Sequence, residues 1–319
     1  MMLVECGEQR VTHLDFADLV DLVDPQELLV LNDTKVLPAR IRFPDRNAEL
    51  LLLEQIDSLT WRCFVRPGKW FKQGRVFSLH GLKGTVLEIL SEGDRLIHFN
   101  SSVDLEKVGE LPLPPYIARN QEAIDRERYQ TVYASRLGAI ASPTAGLHFT
   151  PAILDRLPHE FLTLHVGAGT FKPVKAEVVI EHRMHFEEFE VSDAAAANIN
   201  AAKKVLAVGT TTVRTLESLM QQYGEIRSGK NRTDIFIFPP FEFRRVDSLL
   251  TNFHLPKSTL LMLVAAFAGR EFTLEAYREA VQEQYRFFSY GDCMLIRPGA
   301  WRERSAAAFL GTQVLSHRE

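Results

Sequence analysis

Short apolar runs that stop abruptly at polar, glycine- or asparagine-bearing turns constrain this chain most. Val205-Leu-Ala-Val208 runs into Gly209-Thr-Thr-Thr212 and then into a helical pattern over Val213–Tyr223. Leu28-Leu-Val-Leu31 ends at the polar turn Asn32-Asp-Thr-Lys35, and Ile235–Phe238 is apolar at every position. Continuous runs of this length, without polar alternation, read as strands buried on both faces. Leu162-Thr-Leu-His-Val166 reads as a further strand, feeding the loop Gly167-Ala-Gly-Thr170. Buried strands interleaved with helices make the region after Tyr116 mixed α/β.

Helix boundaries follow from capping residues. Ser192 caps an expected helix over Asp193–Lys203, Ser258 one over Thr259–Ala268, and Thr273 one over Leu274–Gln284. Gly224 takes the position just past the helix Val213–Tyr223. Val36–Ile41 is expected as a second strand, with Lys35 and Arg40 near its ends. From about Phe43 to Gly109 the texture changes. Glu49–Leu53, Trp61–Val65, Gly84–Leu90 and Leu96–Phe99 are strand-like runs separated by turn residues, the pattern of a small all-β barrel. Leu111-Pro-Leu-Pro-Pro115 reads as a stiff return linker. The expected organisation is a main domain of residues 1–42 and 110–319 with an insertion at 43–109.

Hydrophobic residues make up 46% of the 319 positions, enough to bury the core of one large or two ordinary domains. The net charge of −4 leaves no global basic footprint, so a nucleic acid has to be held by local patches. Cys6, Cys63 and Cys293 are odd in number and far apart, which fits a reducing compartment and no disulfide framework. The start Met-Met-Leu-Val-Glu-Cys-Gly-Glu lacks the basic and apolar regions of a signal peptide. Leu260–Ala268 is too short to span a bilayer. The expected location is cytoplasmic, with no membrane partner.

Several constellations can carry chemistry. Ser142–Thr150 contains Thr144, Gly146 and His148; Leu164–Phe171 contains His165, Gly167, Gly169 and Thr170. Glycine admits close backbone approach to a ligand, and histidine can carry a proton. Gly209, Thr210, Thr211, Thr212 and Arg214 sit where a strand passes into a helix, a natural anion site, although simple capping by one threonine also fits. The P-loop pattern is absent. Gly167-Ala-Gly169 lacks a third glycine and is followed by Lys172-Pro173, which argues against a dinucleotide-binding turn. Glu181-His-Arg-Met-His185 fits polar lining better than a metal site, because it has no cysteine or carboxylate frame. Asn252 and His254 alternate before a helix; His254 fits either a general base or a satisfied buried histidine. Arg286–Asp292 mixes aromatics with Ser289, Tyr290 and Asp292, either to stack on a base or to close a core cluster. Arg66, Lys69, Lys72 and Arg75, with Trp70 and Phe71 among them, resemble a nucleic-acid surface; with Lys35 and Arg40 they form the candidate nucleic-acid set.

The chain resembles the S-adenosylmethionine:tRNA ribosyltransferase-isomerases of the queuosine pathway. The resemblance rests on LNDTKVLPARI (31–41), PLPPYI (112–117), RYQTVYA (128–134), SPTAGLHFT (142–150), LHVGAGTF (164–171), EHRMH (181–185), VGTTTVRTLES (208–218), LLTNFHLPKSTLLMLV (249–264) and YRFFSYGDCMLI (285–296), in the family's order over nearly the whole chain. It implies an α/β fold: a large mixed domain built around a β-barrel-like sheet, with the small all-β barrel inserted. It also implies transfer and isomerisation of the ribosyl moiety of S-adenosylmethionine onto 7-aminomethyl-7-deazaguanine at the tRNA wobble position. The products are epoxyqueuosine-tRNA, adenine and methionine. No cofactor or metal is implied, since S-adenosylmethionine is a co-substrate, and the protein is expected to be a monomer.

The reaction needs a base for the acidic C5′ protons beside the sulfonium, with His148, His165 and His254 as candidates. Asp292 is the candidate partner of the aminomethyl group, and Gly209–Arg214 the dock for the methionine carboxylate. Two departures from the family pattern stand out. Members usually carry about 25 further N-terminal residues, an end that is dispensable only where it is little buried. Pro240 stands where glycine is expected, which removes an N–H from that loop.

Overall fold

The structure, a computed structural model, describes residues 1–297 except 80, 115, 118, 120, 168–178 and 183. Its described strands are β1 (Met2–Glu5), β2 (Arg10–His13), β3 (Glu27–Asn32), β4 (Thr34–Val36), β5 (Arg40–Phe43), β6 (Ala48–Gln55), β7 (Thr60–Arg66), β8 (Val76–Leu79) and β9 (Leu82–Ile89). They continue with β10 (Arg95–Phe99), β11 (Arg136–Ala139), β12 (His159–Leu164), β13 (Glu187–Val191), β14 (Lys204–Val208), β15 (Gly229–Thr233), β16 (Ser248–Asn252) and β17 (Cys293–Arg297). Helices α1 (Leu19–Leu22), α2 (Leu105–Val108), α3 (Asp125–Arg128) and α4 (Pro151–Leu154) are single turns. The longer helices are α5 (Asp193–Ala201), α6 (Thr210–Tyr223), α7 (Thr259–Ala268) and α8 (Arg270–Gln282). None among the described residues is long and apolar enough to cross a membrane.

The fold is mixed α/β. A nine-stranded sheet runs in the order β15-β13-β12-β3-β14-β16-β17-β1-β2, and β5 to β10 form a six-stranded antiparallel, barrel-like sheet. In the large sheet β12, β3, β14 and β16 are parallel neighbours, with antiparallel pairs on either side of that block. Both faces are buried, as the apolar runs require. Val30, Val205, Ala207 and Leu249 face α5 to α8, while Leu29, Leu31, Leu206, Val208 and Leu250 face a second core with Leu19, Phe149 and Leu295. The small sheet encloses its own core, where Phe43, Trp70, Phe71 and Phe77 pack edge to face or tilted.

Four local expectations are corrected. Val36–Ile41 is not one strand: β4 pairs with β11, Ala39 N turns back to Leu37 O, and β5 joins the small sheet. Pro38 lies at this break, where it has no N–H for a ladder. Ile235–Phe238 is not a strand; β15 precedes it and pairs with β13, while Phe236 and Phe238 pack on each other. Helix α6 begins at Thr210, because Gly209 takes the cap position. Helix α8 begins at Arg270, and Thr273 sits inside its first turn with Oγ1 donating to Gly269 O at 2.7 Å.

The parallel block positions the site. Its strands share a direction, so their C-terminal ends open on one edge of the sheet. Asn32, Leu164, Val208 and Asn252 stand at those ends. In open α/β sheets the crevice beyond such strand ends is where ligands bind.

Candidate active site

A cavity of about 330 Å³ opens at this edge, within the range of small-molecule sites. Of the residues singled out in the sequence, Thr144, Gly209, Thr210, Thr211, Asn252, His254 and Ser289 line it. Tyr116, Tyr129, Ser142 and Phe288 line it too; they lie within the quoted motifs but were not among the candidate residues.

The start of α6 forms one wall. Gly209 has φ 88°, a conformation suited to glycine, and no side chain caps the helix. The first-turn N–H groups lack acceptors within the helix, and the helix dipole places partial positive charge there. Thr212 does not contribute: it is buried, with Oγ1 donating to Val208 O at 2.8 Å. Arg214 points elsewhere, into a buried ion pair with Glu187, whose Oε1 also accepts from Gly167 N at 3.1 Å. What could favour an anion at this wall is therefore the helix end and the threonines, not Arg214. Gly167 is held at that ion pair rather than on the cavity wall.

The neighbouring wall carries a chain of polar side chains. Thr144 Oγ1 donates to Asn252 Oδ1 at 2.8 Å, and Asn252 Nδ2 reaches His148 Nε2 and Asp292 O, each at 3.4 Å. His148 thus sits one residue behind the wall, stacked on Phe16, with Nε2 as the accepting nitrogen. Gly146 leaves room for the adjoining packing, since a Cβ there would stand 1.9 Å from the Tyr133 hydroxyl. His254 faces the cavity with Nε2 hydrogen-bonded to Thr251 Oγ1 at 2.8 Å, and its backbone N–H donates to the Tyr277 hydroxyl. Burial pushes both His148 and His254 down to about 4, so both are neutral at physiological pH. His165 lies away from the cavity, bonded through Nδ1 to Thr34 Oγ1 at 2.8 Å, and is also lowered by burial.

The segment 286–292 closes on itself. Asp292 accepts from Arg286 N at 2.7 Å and pairs with the Arg286 guanidinium at 2.9 Å, so its carboxylate is already engaged. Tyr290 donates to Asp125 Oδ1 at 3.2 Å. Gly169 and Thr170 lie outside the described residues, as does Arg183 of the Glu181–His185 segment. His182 of that segment packs against Phe236. Among the described residues no group of three His, Cys, Asp or Glu could hold a metal ion.

A wider cavity of about 940 Å³ lies beside β5, β6 and the end of β7, lined by Arg42, Arg46, Arg66 and Lys69 with Glu49 and Glu110. Arg66 and Lys69 were expected on a nucleic-acid surface; Arg46 was not. Lys35, Lys72 and Arg75 are exposed, with Arg75 over the Trp70 ring. Arg40 is half-buried, its guanidinium donating to Leu113 O at 2.8 Å to hold the return linker.

Residues 1–296 match the family of queuosine biosynthesis proteins. The S-adenosylmethionine:tRNA ribosyltransferase-isomerase of Trichlorobacter lovleyi is 47% identical over 313 residues, covering 93% of this chain and 92% of that protein. The enzyme of the same description from Symbiobacterium thermophilum is 47% identical over 316 residues, with the same coverage. The crystal structure of S-adenosylmethionine tRNA ribosyltransferase from Thermotoga maritima superposes with a TM-score of 0.51 and 36% identity, covering 92% of this chain and 91% of that one. With its motifs in order and its relatives matched nearly end to end, the chain belongs to the queuosine biosynthesis protein family, the S-adenosylmethionine:tRNA ribosyltransferase-isomerases.

Proposed function

We propose that the cavity at the strand ends binds S-adenosylmethionine and the tRNA wobble base together. There the ribosyl moiety passes to 7-aminomethyl-7-deazaguanine and is isomerised, giving epoxyqueuosine-tRNA, adenine and methionine, in the cytoplasm. One observation carries this reading: the uncapped start of α6, the Thr144–Asn252 pair with His148 behind it, and His254 converge on one cavity. The methionine carboxylate docks on the first-turn N–H groups and the hydroxyls of Thr210 and Thr211. His254 takes the C5′ proton, because it is the candidate histidine that faces the cavity. His148 orients Asn252 from behind, and Asp292 shapes the 286–292 loop through Arg286. Arg46, Arg66 and Lys69 contact tRNA phosphates on the inserted unit at 43–109.

Two rival activities are separable. A methyltransferase using the same donor yields S-adenosylhomocysteine, and a tRNA-binding protein without catalysis consumes no donor. Chromatography of the small products from S-adenosylmethionine and tRNA bearing the deazaguanine base tests all three. Adenine and methionine in equal amounts are expected; S-adenosylhomocysteine, or unconsumed donor, would overturn the reading.

A further inference from the structure

One end of the cavity has no part in the roles assigned above. Tyr116 and Phe288 stack there, ring centroids 4.3 Å apart and planes 26° from parallel, and both line the cavity. Phe288 has φ 75°, an uncommon backbone conformation for an aromatic residue. It is held there by Phe288 N donating to Phe253 O and by Gly291 N donating to Phe288 O. Residues kept in such sparsely populated conformations cluster at ligand clamps.

Beside this shelf stand two buried hydroxyls. Tyr129 is fully buried and Ser142 is 6% exposed, both line the cavity, and neither Tyr129 Oη nor Ser142 Oγ has a hydrogen-bond partner. The Tyr129 hydroxyl lies near the Ser142 backbone and Ser289 without bonding geometry to either. Ser289 Oγ itself contacts the Tyr116 hydroxyl. A buried hydroxyl without a partner keeps its full desolvation penalty, and most buried polar atoms avoid that cost. Two on one cavity wall, next to an aromatic shelf, are matched to a ligand that supplies their partners. A flat nitrogen heterocycle does so: its face stacks on the shelf, its ring nitrogens accept from the hydroxyls, and its exocyclic amine donates to them.

We propose that this end of the cavity is a nucleobase subsite, with Tyr116 and Phe288 stacking on the ring and the Tyr129 and Ser142 hydroxyls reading its polar edge. The proposal rests on the cavity being the active site. Two substrates carry such a ring, the adenine of S-adenosylmethionine and the deazaguanine of the tRNA.

Tyr129→Phe and Ser142→Ala in the full chain each remove one oxygen with little change of shape, and urea unfolding verifies that both variants fold. Initial rates are measured against each substrate with the other saturating. Each variant is expected to raise one KM by about three- to tenfold, the loss of one neutral hydrogen bond. A rise for S-adenosylmethionine assigns the subsite to adenine; a rise for tRNA assigns it to the wobble base. Unchanged KM for both substrates in both variants overturns the proposal. Calorimetric titration with adenosine and with 7-aminomethyl-7-deazaguanine separates this outcome from failure of the functional reading, because it needs no turnover. Weaker binding of either ring by the variants supports the subsite even if the wild type transfers no ribosyl group. Equal binding by wild type and variants, or none by the wild type, overturns it.

Discussion

Asn32 ties the site to the sheet, and its removal has a calculable cost. The residue is fully buried at the end of β3. Its Oδ1 accepts from Leu164 N at 2.9 Å and from Thr34 N at 3.1 Å. Its Nδ2 donates to Leu164 O at 2.9 Å and to Thr211 Oγ1 at 3.4 Å. One side chain thus extends the β3–β12 ladder to Leu164, the last residue of β12, and it also touches the first turn of α6. Asn32→Ala deletes three well-formed bonds worth about 1 kcal/mol each and one weaker bond, and it leaves buried backbone groups unpaired. The expected destabilisation is about 3–4 kcal/mol, measured by urea unfolding with linear extrapolation. Asn32→Asp gives a signature that simple packing loss does not. It retains the acceptor but sets a carboxylate oxygen against Leu164 O, so it is strongly destabilised at pH 7. It recovers stability as the pH falls, because a protonated carboxyl can donate to that carbonyl again. An Asn32→Ala loss under about 1 kcal/mol, or an Asn32→Asp variant insensitive to pH, would refute this account of how β3, the end of β12 and the start of α6 are held together.

Four further outcomes follow from the geometry. His254→Gln lowers kcat by about 10²–10⁴-fold while calorimetric affinity for S-adenosylmethionine stays near wild type. Since burial holds His254 down to about 4 and the neutral ring is the active form, wild-type kcat falls only as the pH drops through about 4; an acid limb near 6.5 contradicts the assignment. Gly138→Ala sets a Cβ 2.6 Å from the His165 ring, costing about 1–3 kcal/mol by thermal unfolding and shifting the His165 NMR signals; an unaltered melting curve counts against that contact. Arg46→Glu with Arg66→Glu weakens tRNA binding and flattens its salt dependence by about one to two units of log–log slope, with affinity for S-adenosylmethionine unchanged; an unchanged slope removes this cavity from the tRNA path.

The buried strands were legible because Val205–Val208 and Leu28–Leu31 are apolar toward both cores and are cut short by turn residues, too short for a buried helix. The caps were legible from single residues: Ser192 Oγ accepts from Ala195 N, Ser258 Oγ accepts from Leu261 N, and Gly224 takes the left-handed conformation after α6. Ile235–Phe238 misled because aromatic residues that pack on one another look the same in sequence as a central strand. Strand β8 was invisible because only Phe77 among its residues is buried. Within the site, glycine and threonine turns drew attention to Thr144, Gly209 and Thr211. Arg214 drew it for its charge, which the fold spends on Glu187. Tyr129 drew no attention, and the aromatics of 286–292 fitted base stacking and a core cluster equally, since only the fold shows that Tyr129 and Phe288 border a cavity. Asn32 read as a turn residue because its partners, Leu164 and Thr211, are 132 and 179 positions away.

The central claim is that the donor gives up its ribosyl group, not its methyl. The direct measurement uses S-adenosylmethionine carrying heavy carbon in the ribose alone or in the methyl alone. The wobble nucleoside of the product tRNA is then analysed by mass spectrometry. The ribose-labelled donor is expected to add its heavy carbons to the deazaguanine nucleoside, and the methyl label to remain on released methionine. Methyl label on the tRNA, or no mass gain on that nucleoside, would contradict it.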